Sequence, residues 1–235
     1  QQLAAALIAA AKHLKDVTRY VEVGFYTAWS TCVIAAYFNR LCSGSGEDCF
    51  RGVAVDVTTM YAGGSTRVLL SSLNVEVVIL KSGEKIDAKR VAAAMRPRSS
   101  SGSGGNEAAV GGSSLFDLCF LDALHTYEGI RSDYNAMAPY CRGAMLHDIQ
   151  DTTTLRLGGF SGGTVLFWQH LIERFHKHNG HKWKEDEGGT MERPPRTHEF
   201  TKQSSDFLPM FGIGLVLASG GRTVEQLTKD GAFTA

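Results

Sequence analysis

The sequence predicts a doubly wound α/β fold, in which a mostly parallel sheet is covered by helices on both faces. Short β-rich runs alternate with helical segments, and this alternation is typical of parallel strands joined by crossover helices. The chain has 235 residues, of which 43% are hydrophobic. That length and composition suit one domain with one core.

The predicted elements follow one another in a regular order. Strands are predicted at residues 20–24, 52–57, 75–80, 116–122, 144–148 and 211–218. Helices are predicted at residues 29–41, 65–72, 85–95, 127–138 and 163–178. An amphipathic first helix is expected within residues 1–17, because its apolar run is too short for a membrane span, which needs about 20 apolar residues. Residues 183–209 have no clear assignment.

A single domain is expected over residues 1–235. Residues 97–114 are mostly Ser and Gly. Such a segment buries too little apolar surface to offset the entropy lost on ordering, so a flexible surface insertion is expected there. Residues 219–235 are expected to form a C-terminal tail.

Charge and cysteine content indicate an intracellular protein with no strongly anionic partner. The 24 basic and 24 acidic residues cancel, which argues against a nucleic-acid partner, although one basic face could still exist. Cys32, Cys119 and Cys141 lie in apolar stretches and are expected to stay reduced. Cys42 and Cys49 bracket a Gly/Ser loop and could pair. Since the chain has no Cys-x-x-Cys, a reducing, cytoplasmic setting is the better interpretation.

The first candidate site is a strand–turn–helix stretch early in the chain. Its strand ends at Gly24, which permits close backbone approach to a ligand, and the next helix offers free N–H groups. Glu22, Gly24, Thr27, Ser30 and Thr31 are therefore candidate cofactor contacts, although Ser30 and Thr31 suit helix capping equally well. The fingerprint Gly-x-Gly-x-x-Gly is absent, which argues against NAD or FAD.

Acidic and polar residues also follow the next two predicted strands. Asp56 ends the second strand, where an acid accepts hydrogen bonds from ribose hydroxyls in nucleotide-binding folds. A solvated strand-end carboxylate is the alternative interpretation. Ser82 and Glu84 follow the third strand and could flank an adenine ring.

Two further acids and a histidine come at the ends of the fourth and fifth predicted strands. Asp122 ends a buried strand, and His125 is a candidate general base because imidazole titrates near neutral pH. A structural role for His125 is equally open. Asp148 ends the adjacent strand, so its carboxylate could join Asp122 in binding Mg²⁺. The two carboxylates could instead bind a substrate hydroxyl or cap a helix.

In this order, the motifs resemble the class I, Rossmann-like S-adenosylmethionine-dependent methyltransferases, and more narrowly methyltransferase family 24. The matching stretches are Glu22-Val-Gly24 with Ser30-Thr31, Leu121-Asp-Ala-Leu-His-Thr-Tyr-Glu-Gly-Ile-Arg-Ser-Asp133, and His147-Asp148, with residues 163–171 and 212–216 further on. The resemblance implies a seven-stranded sheet and S-adenosylmethionine as methyl donor. It places Glu22 and Gly24 near the methionine part of the cofactor and Asp56 on its ribose.

A more distant resemblance to catechol-type O-methyltransferases implies the chemistry. In those enzymes the acid ending the fourth strand binds a metal, and a lysine three residues later is the base. Asp122 and His125 take these places. The Asp-Asn pair that ends the fifth strand in those enzymes is here Asp148 followed by isoleucine, so one expected metal ligand is missing unless Gln150 or Asp151 substitutes for it. Ala28 and Ala123 replace glycines of the family pattern.

The resemblance therefore implies O-methylation of a small hydroxylated acceptor, with His125 as general base and with Asp122 and Asp148 orienting the hydroxyl directly or through Mg²⁺. Two alternatives stay open: a catalytically inactive structural or regulatory subunit with the same fold, and RNA cap methylation. The balanced charge disfavours the second, as does the lack of a second lysine for a Lys-Asp-Lys-Glu set. The expected partner is a small-molecule acceptor, with no membrane or nucleic acid, and a homodimer stays open. Acceptor contacts are expected within residues 151–162 and 185–207.

Overall fold

A seven-stranded sheet organises the protein. The computed structural model describes residues 2–42, 50–58, 63–95, 115–150, 162–179, 196–200 and 212–218. The strands are β1 (Arg19–Val23), β2 (Arg51–Asp56), β3 (Val75–Ile79), β4 (Phe116–Leu121), β5 (Cys141–His147), β6 (Arg196–Phe200) and β7 (Ile213–Leu217). They lie in the order β3-β2-β1-β4-β5-β7-β6. The first five strands are parallel, and β7 runs antiparallel to both β5 and β6. The predicted fold class is confirmed.

Helices cover both faces of the sheet. They are α1 (Gln2–Leu14), α2 (Trp29–Cys42), α3 (Gly64–Ser72), α4 (Ala88–Ala94), α5 (Tyr127–Met137) and α6 (Gly163–Asn179), with a single 3-10 turn (Ala138–Tyr140) after α5. Side chains alternate between the two faces along each strand. On β4, Leu118 and Phe120 pack in the core with α1, α2 and α3, whereas Cys119 and Leu121 pack with α4, α5 and α6. None of these helices, within the described residues, is long and apolar enough to cross a membrane.

Two elements, α4 and β5, begin three residues away from their predicted starts. The side chain of Asp87 accepts hydrogen bonds from the backbone of Lys89 and Arg90, so α4 begins at Ala88 and not at residue 85. Strand β5 begins at Cys141, three residues before the predicted start, because Cys141 already pairs with Phe116 of β4.

Strand β6 has no counterpart among the predicted elements. Its sequence Arg-Thr-His-Glu-Phe is polar, and it lies at the sheet edge with β7 as its partner. An edge strand needs no apolar run, because solvent reaches part of it. The expectations for residues 97–114, 151–161, 185–195, 201–207 and 219–235 concern residues outside the described part of the chain.

The cysteine expectation is wrong for one pair. The structure joins Cys119 and Cys141 as a disulfide between β4 and β5, whereas both were expected to be reduced. Both residues are fully buried in the core, and burial alone does not distinguish a thiol from half of a disulfide. Cys32 is free. The pairing of Cys42 with Cys49 involves a residue outside the described part.

Candidate active site

The candidate site residues lie along one edge of the sheet. Strands β2, β1, β4 and β5 are neighbours and parallel, so the residues that end them meet at their carboxyl-terminal edge. Asp56 ends β2, Gly24 and Asp122 directly follow β1 and β4, and Asp148 directly follows β5. The chain order reverses across β1, with β2 on one side and β4 on the other. Ligands of open α/β sheets bind at such a switch point.

Gly24 forms the turn between β1 and the loop that leads to α2. Its φ is +86°, in the left-handed region that glycine adopts without strain. A Cβ on this residue would lie 2.5 Å from the Cα of Ala123 and would also overlap the carbonyl oxygen of Asp122. The close packing of two strand-end turns therefore requires a glycine at this position, whatever ligand binds above it.

Ala28 takes the backbone conformation that glycine would adopt freely. Its φ is +64°, and its N–H donates to the carbonyl of Phe25 at 2.6 Å, which closes the turn before α2. The left-handed conformation costs a non-glycine residue about 1–2 kcal/mol. The alanine thus keeps the shape of the loop at a modest energetic cost.

Glu22 is a buried carboxyl group beneath this loop. It has no exposed surface. Its Oε2 accepts a hydrogen bond from the Tyr20 hydroxyl at 2.9 Å, and its Oε1 accepts one from the Ser30 hydroxyl at 2.5 Å. Burial raises the pKa of Glu22 to about 7, although the hydrogen bond from Ser30 opposes this effect. Among the described partners of Glu22, Ser30 also lines the pocket.

Asp56 ties the end of β2 to the glycine loop. Its Oδ2 accepts a hydrogen bond from the backbone N–H of Tyr26 at 3.1 Å. Its Oδ1 accepts from the N–H groups of Val57 at 2.7 Å and Thr58 at 3.1 Å. A carboxylate offers about four acceptor positions, and the described residues occupy three of them. The cofactor role of Asp56 stays a prediction.

Ser82 and Glu84 form a local turn after β3. The carboxylate of Glu84 accepts a hydrogen bond from the backbone of Lys81 at 2.9 Å and pairs with Arg90. These contacts hold the pKa of Glu84 below its ordinary value. Neither Ser82 nor Glu84 is among the residues that line the pocket described below.

Two histidines and two aspartates form a compact cluster at the ends of β4 and β5. The Nδ1 atom of His125 lies 2.9 Å from Oδ2 of Asp148. The Nδ1 atom of His147 lies 2.9 Å from Oδ1 of Asp148 and 3.2 Å from Oδ1 of Asp122. Asp148 adopts a φ of +57°, a conformation uncommon outside glycine. The two carboxylates that the sequence placed on adjacent strands therefore do converge, with an imidazole against both.

The contacts between histidines and aspartates in this cluster shift the pKa values of His147 and Asp148. For His147, burial alone would favour the neutral ring, but the contacts with Asp122 and Asp148 outweigh burial and raise the pKa to about 10. For Asp148, burial is likewise outweighed by the contacts with His125 and His147, which lower its pKa to about 2. At neutral pH His147 is protonated and Asp148 is ionised. His147 therefore cannot accept a proton, whereas Asp148 can orient His125.

The turn that carries His125 is held by the starts of two helices. The Thr126 hydroxyl accepts a hydrogen bond from the N–H of Gly129 at 3.0 Å and caps α5. Gly163 begins α6 and packs so closely that a Cβ on it would lie 2.8 Å from the carbonyl oxygen of His125 and would overlap the backbone of Tyr127. The glycine at position 163 lets α6 pack directly against the His125 turn.

A pocket of about 290 Å³ opens between the glycine loop, α1 and β7. Its described lining residues are Gly24, Tyr26, Thr27 and Ser30 on the loop side, Leu3, Phe25, Trp29, Phe120 and Ile213 on the apolar side, and Asp122 and His147 at the strand ends. Tyr26 and Trp29 are 59% and 69% exposed, so they border the pocket and do not fill it. Thr31 is fully buried and, like Glu22, His125 and Asp148, is not among the lining residues.

The geometry of the cluster disfavours the predicted Mg²⁺ site at Asp122 and Asp148. Asp122, His125 and Asp148 each offer a donor atom, and these atoms lie within 4.8 Å of one another. However, His147 already faces both carboxylates. Ile149 stands at the position of the missing ligand and is an apolar residue only 5% exposed. Of the two possible substitutes, Gln150 lies within the described part of the chain and Asp151 lies outside it. Mg²⁺ prefers near-octahedral oxygen ligands, so this set does not fit it well. Mg²⁺ on Asp122 and Asp148 stays a prediction that these contacts oppose.

His147 is the site residue that sequence reasoning missed. It was noted only as part of the His147-Asp148 pair, without a role. Because it is the last residue of β5, its position at the carboxyl-terminal edge could have been inferred. Which neighbours its ring contacts depends on the register between β4 and β5 and on side-chain conformation, which the sequence does not show.

Comparisons with known proteins support the fold. No family model and no curated protein matches the sequence. Among solved structures, the methyltransferase domain of bacterial CtHen1-C has a TM-score of 0.52 at 8% identity, over 94% of this chain and 98% of that one. The CurJ carbon methyltransferase also has a TM-score of 0.52, at 11% identity, over 94% of this chain and 54% of that one.

A third similar structure is the N-methyltransferase NodS from Bradyrhizobium japonicum, in complex with S-adenosylhomocysteine. Its TM-score is 0.50 at 14% identity, over 91% of this chain and 83% of that one. The names of the CurJ and NodS proteins specify carbon and nitrogen as the methylated atoms, so the shared architecture does not determine the acceptor. Membership of methyltransferase family 24 stays a prediction. The seven-stranded sheet with its antiparallel β7 and these similarities together give this chain the class I S-adenosylmethionine-dependent methyltransferase fold.

Proposed function

We propose that this protein transfers a methyl group from S-adenosylmethionine to a hydroxyl of a small acceptor, with His125 as the general base. The observation that carries the proposal is the contact between His125 and Asp148, 2.9 Å apart at the sheet edge where this fold binds ligands. In this fold the cofactor would supply a methyl group already activated on a sulfonium.

Asp148 prepares His125 to accept a proton. Since its Oδ2 faces Nδ1 of His125, the Nδ1–H tautomer is favoured, and the proton-accepting lone pair then lies on Nε2. The low pKa of Asp148 keeps this partner ionised over the working pH range. Asp148 is thus a positioning residue, and the imidazole is the group that takes the hydroxyl proton as the oxygen attacks the methyl carbon.

Asp122 connects this pair to the pocket. It lines the pocket, and one of its carboxylate oxygens lies within 4.8 Å of a ring nitrogen of His125. That separation allows a hydroxyl beside Asp122 to donate its single proton to the imidazole. On the other side, Gly24, Thr27 and Ser30 form the loop wall that suits the methionine part of the cofactor. Alignment of the two reactants is the main contribution required of the protein.

Calorimetry with S-adenosylmethionine and S-adenosylhomocysteine tests the cofactor. Binding at micromolar to low millimolar concentration is expected, and its absence would favour the inactive-subunit alternative. Transfer of an isotopically labelled methyl group then tests the chemistry, with mass spectrometry of the product to locate the methyl. A methyl found on nitrogen or carbon would contradict O-methylation and leave the fold assignment intact.

The base assignment is tested by His125→Ala. Loss of a general base is expected to reduce kcat by about 10²–10⁴-fold while cofactor affinity stays nearly unchanged. His13→Ala is the matched control. His13 lies near the far end of α1, where its ring contacts the carbonyl of Ala218 at 3.1 Å, away from the pocket. Turnover that survives His125→Ala, or falls equally in His13→Ala, would show that His125 is not the base.

A further inference from the structure

We infer that His147 is a positioning residue for the proposed base His125, because its ring holds the Asp148 carboxylate that orients the His125 imidazole. This role rests on the proposed function, in which His125 accepts the hydroxyl proton. It is carried by the strand register that puts His147 beside Asp122, by the backbone turn at Asp148, and by the division of the two Asp148 oxygens between two imidazoles.

The register of β4 against β5 places His147 beside Asp122. Phe120 pairs with Met145, and side chains two residues further along each strand lie on the same face. Asp122 and His147 are therefore the next pair on that face, and Oδ1 of Asp122 lies 3.2 Å from Nδ1 of His147. The His147 ring also stands edge-on to the buried Phe120 ring, with their centroids 6.0 Å apart. The sheet itself thus fixes the position of the His147 ring.

Asp148 reaches the same place through its backbone conformation. Continued alternation along β5 would put its side chain on the face opposite to that of His147. Its φ of +57° ends that alternation, although the left-handed conformation costs free energy in a residue other than glycine. The carboxylate instead lies against both His147 and His125. The turn at Asp148 therefore brings one carboxylate within reach of two imidazoles.

The two oxygens of Asp148 are divided between the two histidines. Oδ2 lies 2.9 Å from Nδ1 of His125, and Oδ1 lies 2.9 Å from Nδ1 of His147. The terminal torsion of an aspartate is broad, so a contact at one oxygen alone leaves the carboxylate able to turn. A second contact at the other oxygen fixes the carboxylate plane, and with it the oxygen that faces His125. Asp148 is only 5% exposed, so little water reaches it to replace His147.

A fixed Asp148 carboxylate favours the tautomer of His125 that can act as a base. With an acceptor at Nδ1, the ring keeps its proton there and leaves Nε2 to accept one. If the carboxylate turns away, the Nε2–H tautomer becomes more populated, and that form cannot accept a proton at Nε2. His147 acts on His125 only through Asp148 in this scheme. Because His147 also lines the pocket, a direct contact with the cofactor is the rival role that the experiment must separate.

Nitrogen NMR of the His125 ring tests the positioning role without any acceptor. The chemical shifts of the two ring nitrogens report the tautomer, and they are measured at about pH 8.5, above the ordinary titration range of imidazole. The Nδ1–H tautomer should predominate in the wild type. In His147→Gln the ratio of Nδ1–H to Nε2–H should fall at least about fivefold, because glutamine places its amide nitrogen near the position of Nε2 of His147 and not near that of Nδ1.

His147→Asn is the conservative variant that should restore the His125 tautomer. Its amide nitrogen lies near the position of Nδ1 and can donate to Asp148, so the tautomer ratio should stay within about twofold of the wild type. Because asparagine and glutamine are both neutral and polar, polarity alone cannot explain a difference between them. His147→Leu should behave like His147→Gln and gives the same test if the glutamine variant does not fold. His13→Asn, far from the pocket on α1, controls for the loss of a histidine.

Equal tautomer ratios in the asparagine and glutamine variants, or a ratio that changes as much in His13→Asn, would overturn the inference. Calorimetry with S-adenosylhomocysteine separates the rival role. If all three variants at position 147 weaken its binding while the His125 tautomer stays constant, His147 contacts the cofactor and does not position His125. Failure of the wild type to bind S-adenosylhomocysteine would overturn the proposed function, and the His125 tautomer would still decide the role of His147.

Discussion

Relative to the wild type, Glu22→Gln is expected to increase the stability of the fold above neutral pH and to change that stability little in mild acid. Glu22 is fully buried, and mainly for that reason its pKa is raised from 4.5 to about 7. The native state therefore holds this proton more tightly than the unfolded chain does. It follows that the stability of the wild type falls as pH rises from 4.5 to about 7, and that the loss is complete above that range. The pKa difference corresponds to about 3 kcal/mol.

Glutamine is a suitable replacement at this position. The hydroxyls of Tyr20 and Ser30, which now donate to Glu22, can each donate to an amide oxygen or accept from an amide nitrogen. The substitution therefore removes the titration and can keep both hydrogen bonds.

The assay is chemical denaturation of both proteins at about pH 5 and about pH 8. The stability of the variant relative to the wild type should increase with pH by up to about 3 kcal/mol. Glu76→Gln, at an exposed position on β3, controls for a simple change in net charge. If the variant and the wild type differ in free energy of unfolding by the same amount at both pH values, burial of Glu22 does not control its proton affinity.

Two other predictions concern the strand-end turns and the carboxylate cluster. Gly24→Ala should destabilise the fold by more than about 2 kcal/mol, because its Cβ would overlap the Ala123 turn. Thermal unfolding should show no comparable loss of stability for Gly64→Ala, because a Cβ at that position would meet no atom within 4 Å. Chelation by EDTA should leave turnover and S-adenosylhomocysteine affinity within about twofold, because His147 already contacts both aspartates. A tenfold or greater loss that Mg²⁺ restores would contradict this reasoning.

Much of the site could be placed from the sequence because each of its acids ends a strand. Asp56, Asp122 and Asp148 all follow apolar runs, and parallel strands bring their carboxyl ends to one edge. Distances between them could not be predicted. The contact of His147 with Asp122 depends on the register of β4 against β5, and nothing local in the chain reports that register.

For Glu22 and Gly24, the structure adds contacts that their positions in the sequence do not show. Glu22 was interpreted as a cofactor contact from its position near a strand end. Alternation along β1 puts it on the same face as Tyr20, and α1 and α2 cover that face, which leaves Glu22 without exposed surface. Gly24 was interpreted as clearance for a ligand, whereas the nearest atoms are those of the turn after β4.

The sequence by itself determined the alternating order of strands and helices, because apolar periodicity and turn residues act within a few positions along the chain. It also determined that acids and a histidine follow the strands that end at one edge. Only the tertiary structure decided three features: the polar edge strand β6, the Cys119–Cys141 disulfide, and the apolar pocket built from α1, β4 and β7. Each of these depends on groups that lie far apart in the chain and meet only when the sheet has formed, so no local pattern encodes them.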